Sequence, residues 1–155
     1  MKLRHLFFAC SGVFVMMFSL LLLVVIVFSD EEDGGSGGNL IYGGVSVSQE
    51  VLAHKPMLEK YAKEYGIEEY LNVLLAIIQV ESGGTLEDVM QSSESLGLPP
   101  NSLSTEESIK QGCKYFSELL AAAETKGCDL NSVIQSYNYG GGFLGYVAGH
   151  GKKYT

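Results

Sequence analysis

Residues 71–94 read LNVLLAIIQVESGGTLEDVMQSSE, and the first ten of them decide the fold. Residues 71–80 are apolar apart from Asn72 and Gln79. A helix that is apolar all round is expected to be buried all round, without a wet face. The run stops abruptly at Glu81. A carboxylate at the tip of a buried helix is desolvated, which raises its pKa toward the value a general acid needs near neutral pH. It also sits at a helix C-terminus, where negative charge opposes the macrodipole. A residue that breaks a local rule in this way marks a candidate functional site. Ser82, Gly83 and Gly84 follow at once and break the helix into an open loop.

Toward the N-terminus, Ser48 is the expected N-cap of a first helix. Its apolar positions Val51, Leu52, Met57, Leu58, Tyr61, Ala62 and Tyr65 recur at helical spacing. Pro56 is expected to kink that helix or divide it in two, and Gly66 to stop it. The buried helix then occupies about residues 68–81. Residues 82–101 contain Gly83, Gly84, Gly97, Pro99 and Pro100 and read as loop, with a short turn near residues 86–90. Ser104 and Glu107 have capping-box spacing and open a third helix to about Thr125, with Ile109, Gly112, Cys113, Phe116, Leu119 and Leu120 as its core stripe. Gly127 ends it. Asp129 caps a fourth helix over about residues 130–139, with Val133, Ile134 and Tyr137 inward. The remainder, FLGYVAGHGKKYT, has no periodicity long enough to assign, and no strand pair stands out. The fold class is therefore mainly α, with the other helices packed around the buried one.

The chain has 155 residues, enough for one domain. Residues 6–28 form an uncharged apolar run of 23 residues. At 1.5 Å per residue that is roughly 34 Å, enough to span a hydrocarbon core of about 30 Å. A cleaved signal peptide is the competing reading, but the run exceeds an ordinary h-region and no small-x-small site closes it. Lys2 and Arg4 precede it, and Asp30, Glu31, Glu32 and Asp33 follow. The positive-inside rule thus leaves residues 1–5 as a cytoplasmic stub, 6–28 as a single-pass signal anchor and the rest outside the cell membrane. Residues 29–46 read as a glycine-rich linker, and 47–155 as the folded domain.

A formal net charge of −8 without a basic patch excludes nucleic acid as a partner. Cys10, Cys113 and Cys128 are too few and too scattered for a disulfide framework. His5, His54 and His150 are isolated, with no zinc spacing, so neither a metal nor a cofactor is expected. GxSxG and GK[ST] signatures are absent, which argues against a nucleophile elbow and a P-loop.

Glycoside hydrolysis requires an acid and ordinarily a second carboxylate on the other side of the bond. Glu87, Asp88 and Glu94 all follow Glu81 closely enough to supply it, and the residues alone do not separate them. Gln91, Ser92, Ser93 and Glu94 form a polar cluster that also suits a turn. Tyr137 and Asn138 end the fourth helix. A ring and an amide there could stack on a sugar and bond its hydroxyls, or simply terminate the helix.

The buried helix ending in Glu81-Ser82, then Met90-Gln91, then Ile109 and Gly112 leading to Tyr115-Phe116, then Tyr137-Asn138, resembles the motif series of the goose-lysozyme and soluble lytic transglycosylase superfamily. More narrowly, residues 80–101 resemble the lysozyme-like domain of CwlT-type cell-wall hydrolases of Gram-positive bacteria and their conjugative elements. The resemblance covers residues 47–146. It implies a helical lysozyme-like fold and a muramidase acting on the MurNAc–GlcNAc β-1,4 bond of peptidoglycan. It further implies Glu81 as catalytic acid, Asp88 as second carboxylate, and Gln91, Ser92, Ser93, Glu94, Tyr137 and Asn138 as cleft positions. The implied partners are glycan strands, the membrane through the N-terminal helix, and secretion or cell-wall machinery. The catalytic domain would be extracytoplasmic and face the wall. Such proteins commonly add a cysteine-peptidase domain and a closing helix; this sequence stops at Thr155 before either, so a truncated domain is expected. A lytic transglycosylase and a non-catalytic peptidoglycan-binding module are the two competing functions.

Overall fold

The computed structural model describes residues 40–42 and 44–154. The expected anchor at 6–28 lies outside the described residues. Among those described, no helix is long and apolar enough to cross a membrane.

Two short strands open the fold, β1 (Leu40–Tyr42) and β2 (Val45–Val47), paired antiparallel with Leu40 opposite Val47. This corrects the expectation that no strand pair exists. The hairpin occupies the end of the stretch read as linker. Gly44 sits at φ +85°, a conformation that two-residue hairpin turns demand and glycine adopts freely. Val45 and Val47 are buried, and β2 packs on the buried helix.

The first predicted helix is divided as expected, into α1 (Gln49–Ala53) and α2 (Lys55–Glu64). Pro56 lies in the first turn of α2, where a missing N–H costs nothing. Ser48 Oγ accepts from Val51 N at 3.3 Å, the predicted N-cap. Residues 68–70 form a 3₁₀ turn, so the buried helix α3 (Leu71–Glu81) starts three residues later than its apolar pattern suggested. Such a turn tightens an unpartnered N-terminus. Val73 to Ile78 are all buried, which confirms a helix enclosed on every side.

The loop that follows carries a 3₁₀ turn at Ser92–Leu96. Helix α4 (Thr105–Lys126) begins at a capping box, in which Glu107 Oε2 accepts from Ser104 N at 3.0 Å, and ends at Gly127 with φ +68°. Ile109, Gly112, Cys113, Phe116 and Leu119 are buried as predicted. Cys113 and Cys128 are free, and burial pushes the Cys113 thiol up to about 12. Asp129 caps α5 (Leu130–Tyr139), accepting from Ser132 N at 3.0 Å.

The tail contains a helix the sequence did not reveal, α6 (Gly142–Gly149). Glycine disfavours helix, but Leu144 and Val147 are buried and α6 packs on α5 and α4. Tertiary burial, together with the bond from Tyr154 N to Asp129 Oδ1 at 3.3 Å, fixes what propensity does not.

Candidate active site

Glu81 is the last residue of α3, carried by a helix that the core holds on all sides. The chain beyond it is tied down within a few residues. Ser82 Oγ donates to Val89 O at 2.7 Å, and Gly84 N donates to Ser82 Oγ at 3.0 Å. From the N-terminal side, Ser48 N donates to Gln79 Oε1 at 2.7 Å, and His54 Nε2 lies 2.9 Å from Gly84 O. The orientation of Glu81 is thus set by α1 as well as by its own helix.

Glu81 opens onto a cleft. One wall is the 3₁₀ turn, with Gln91, Ser92, Glu94 and Ser95; the other is Tyr115 and residues 137–140. Glu81 is half-buried, and its carboxyl is pushed up to about 7, chiefly by burial and then by the negative charges of Glu94 and Asp88. A carboxyl at that value keeps its proton near neutral pH and can give it up.

Six of the eight predicted site residues line this cleft together: Glu81, Gln91, Ser92, Glu94, Tyr137 and Asn138. Asp88 and Ser93 lie beneath it, both fully buried. Asp88 Oδ1 accepts from Ser92 N at 2.9 Å and Ser108 Oγ at 2.6 Å, and Oδ2 accepts from Ser93 N at 3.2 Å. Its visible work is to anchor the turn that forms the wall. Gln91 enters that turn at φ +46°, unusual for a residue with a side chain, and its Nε2 donates to Asp88 O and Asn101 Oδ1 at 2.9 and 2.7 Å.

Sequence reasoning missed Ser95, Tyr115, Tyr139 and Gly140 as lining residues. Tyr115 stood in the quoted motif, which was the available signal. Its ring lies 5.5 Å from that of Tyr137. Tyr137 is buried and donates from its hydroxyl to Met90 O at 3.1 Å, joining α5 to the loop. Burial drives its own pKa well up, so it stays a donor. Among the described residues no group of three or more His, Cys, Asp and Glu side chains could hold a metal ion.

Gly112 explains how α4 closes on this site. A Cβ there would meet Met90 Sδ at 2.5 Å and Tyr137 Oη at 2.9 Å. Gly112→Ala is expected to cost about 1–2 kcal/mol, moderate because the methionine tip can move. A thermal melt checks the cost, and loss of the Tyr137–Met90 link should appear as lower activity at temperatures where the variant is folded.

The sequence profile of the lysozyme-like family matches residues 48–155. The chain belongs to the lysozyme-like family. Over 115 residues this lysozyme-like chain is 43% identical to the bifunctional muramidase/DL-endopeptidase CwlT of Bacillus subtilis (strain 168), covering 74% of this chain and 34% of that protein. It is 39% identical over 110 residues to the uncharacterized membrane protein YocA of the same organism, covering 70% of this chain and 49% of that one. The crystal structure of a "similar to lipoprotein, NLP/P60 family" protein from Staphylococcus aureus subsp. aureus Mu50 superimposes with a TM-score of 0.70 at 79% identity, covering 70% of this chain and 37% of that one. The lysozyme-like chain thus spans about a third to a half of the length of these relatives.

Proposed function

We propose that this domain is a muramidase that cleaves the MurNAc–GlcNAc β-1,4 bond of peptidoglycan, with Glu81 as general acid. One observation carries the reading: a half-buried carboxyl, held near 7, at the end of an apolar helix and open to a cleft of hydroxyls, amides and tyrosine rings. Glycosidic cleavage needs a proton delivered to the departing oxygen while the sugar takes on oxocarbenium character. The tyrosine rings suit the apolar faces of sugars, and the amides of Gln91 and Asn138 suit their hydroxyl and acetamide groups. Membership of the lysozyme-like family and the identity to a protein named as a muramidase support this assignment. The apolar run at 6–28 would tether the domain outside the membrane, which the likeness to a protein named as a membrane protein supports.

A lytic transglycosylase is the second reading. There Glu81 acts as acid and then base, and the C6 hydroxyl of MurNAc replaces water. The enclosure of Asp88 favours it, since the resemblance made Asp88 the second carboxylate and it has no access to water in the cleft. Mass spectrometry of muropeptides released from purified peptidoglycan by the full chain separates the two. Reducing MurNAc ends are expected; 1,6-anhydroMurNAc ends would make it a transglycosylase. A folded chain that binds sacculi but releases nothing would leave only a binding module.

A further inference from the structure

Three carboxylates surround the end of α3, and their surroundings sort them. Glu81 is half-buried. Asp88 is wholly enclosed, with one oxygen bonded to Ser92 N and Ser108 Oγ and the other to Ser93 N. A group so engaged reaches a water over a sugar ring only by breaking the bonds that hold the loop. Glu94 is exposed and lines the same cleft as Glu81. Among the described residues no Lys, Arg or His pairs with it within 4 Å.

We infer that Glu94 is the second carboxylate of the reaction and that Asp88 is the positioning residue that sets it, an inference that rests on the hydrolytic (muramidase) reading above. The support under Glu94 is rigid. Ser92 Oγ donates to Ser108 O at 2.9 Å, Ser95 Oγ to Ser92 O at 2.6 Å, and Gln111 Nε2 to Ser95 Oγ at 2.9 Å. The turn is therefore fastened to α4 at two points and to Asp88 at its start, the kind of backing a catalytic group requires. Glu81, half-buried, and Glu94, exposed, also fit the general rule that paired carboxyls with different surroundings take different protonation roles.

In the step this assigns, Glu81 gives its proton to O4 of the departing GlcNAc as the C1–O4 bond breaks. A water oxygen bonds to C1 of MurNAc, and the Glu94 carboxylate takes the proton that the water sheds. Glu81 ends as carboxylate and Glu94 as acid, and proton exchange with solvent resets both.

The test compares Glu94→Gln, Glu94→Ala, Asp88→Asn, Asp88→Ala, Ser108→Ala and Glu81→Gln in the full chain, by steady-state kinetics on peptidoglycan, pH–rate profiles and thermal melts. Glu94→Gln should lower kcat at least 100-fold, leave KM within threefold and the melt unchanged, and remove the acid limb of the profile. Sodium azide should restore at least tenfold to Glu94→Ala and yield a glycosyl azide visible by mass spectrometry. Asp88→Asn and Ser108→Ala should lower the melting temperature and reduce kcat while the acid limb persists. A Glu94→Gln kcat within threefold of the parent, a loss in KM alone, or azide rescue of Asp88→Ala in place of Glu94→Ala each overturns the assignment. An inactive parent, or a Glu81→Gln variant as active as the parent, overturns the glycan-cleaving reading and the role of Glu94 with it.

Discussion

Replacing Glu81 by glutamine is expected to lower muropeptide release by about 10²–10⁴-fold, the range a single general acid commands. The variant should nonetheless fold. Glutamine matches the protonated carboxyl in shape, and α3 owes its place to Val73 to Ile78 and not to its last residue. Binding to sacculi should survive, so a pull-down beside the kinetic assay distinguishes lost chemistry from lost recognition. Wild-type rates in Glu81→Gln would remove the residue from the mechanism.

The same substitution has a pH signature whose sign is fixed. Burial raises the Glu81 carboxyl from an ordinary 4.5 to about 7, so the folded chain holds this proton more tightly than the unfolded chain does. Stability from this group is complete below the ordinary value, falls as pH rises, and is lost once pH passes about 7. Glutamine carries no such penalty. Glu81→Gln should therefore melt with the parent at pH 4 and about 12 °C or more above it at pH 8, the equivalent of about 3 kcal/mol. Activity of the parent should fall over the same upper range, as the acid form disappears. A melting difference that grows toward low pH would contradict the burial of Glu81.

The sequence disclosed the elements whose signals are local. Ser48, Pro56, the Ser104–Glu107 pair, Gly127 and Asp129 mark helix ends by their own chemistry, and each end lies where that chemistry places it. What stayed hidden depends on contacts made at a distance. Strands of three residues beside Gly43 and Gly44 carry too little alternation to stand out, and the valines of β2 gain their order by burial on α3. Helix α6 contains Gly142, Gly145 and Gly149 and is held by Leu144 and Val147 against its neighbours. The site divides in the same way. Glu81 declares itself by ending an apolar run, but the enclosure of Asp88 rests on Ser108, 20 residues away. Tyr115 and Tyr139 escaped notice as lining residues because a helical tyrosine reads equally well as core.

Gly84→Ala is expected to be the most damaging small change in the domain, at about 3 kcal/mol, or a fall in melting temperature of about 12 °C or more. Two costs coincide there. Gly84 sits at φ +79°, and an added Cβ would stand 2.7 Å from both Glu50 C and Val51 N, and 2.9 Å from Glu50 O. These are backbone atoms of α1, and they cannot swing aside as a side chain could. Helix α1 is itself pinned by the Ser48 cap and by the contact of His54 with Gly84 O, so the strain has to be relieved by the loop. Gly83→Ala supplies the matched control. Its φ is +60°, but the nearest atom to the new Cβ is Gln79 Nε2 at 3.9 Å, so it should cost only about 1 kcal/mol. Because the displaced loop begins one residue after Glu81, Gly84→Ala should also lose activity in excess of its unfolded fraction at 20 °C, whereas Gly83→Ala should not. Equal melting temperatures for the two variants would mean that α1 yields to the loop, and that the close approach of these backbones does not set the carboxyl in the cleft.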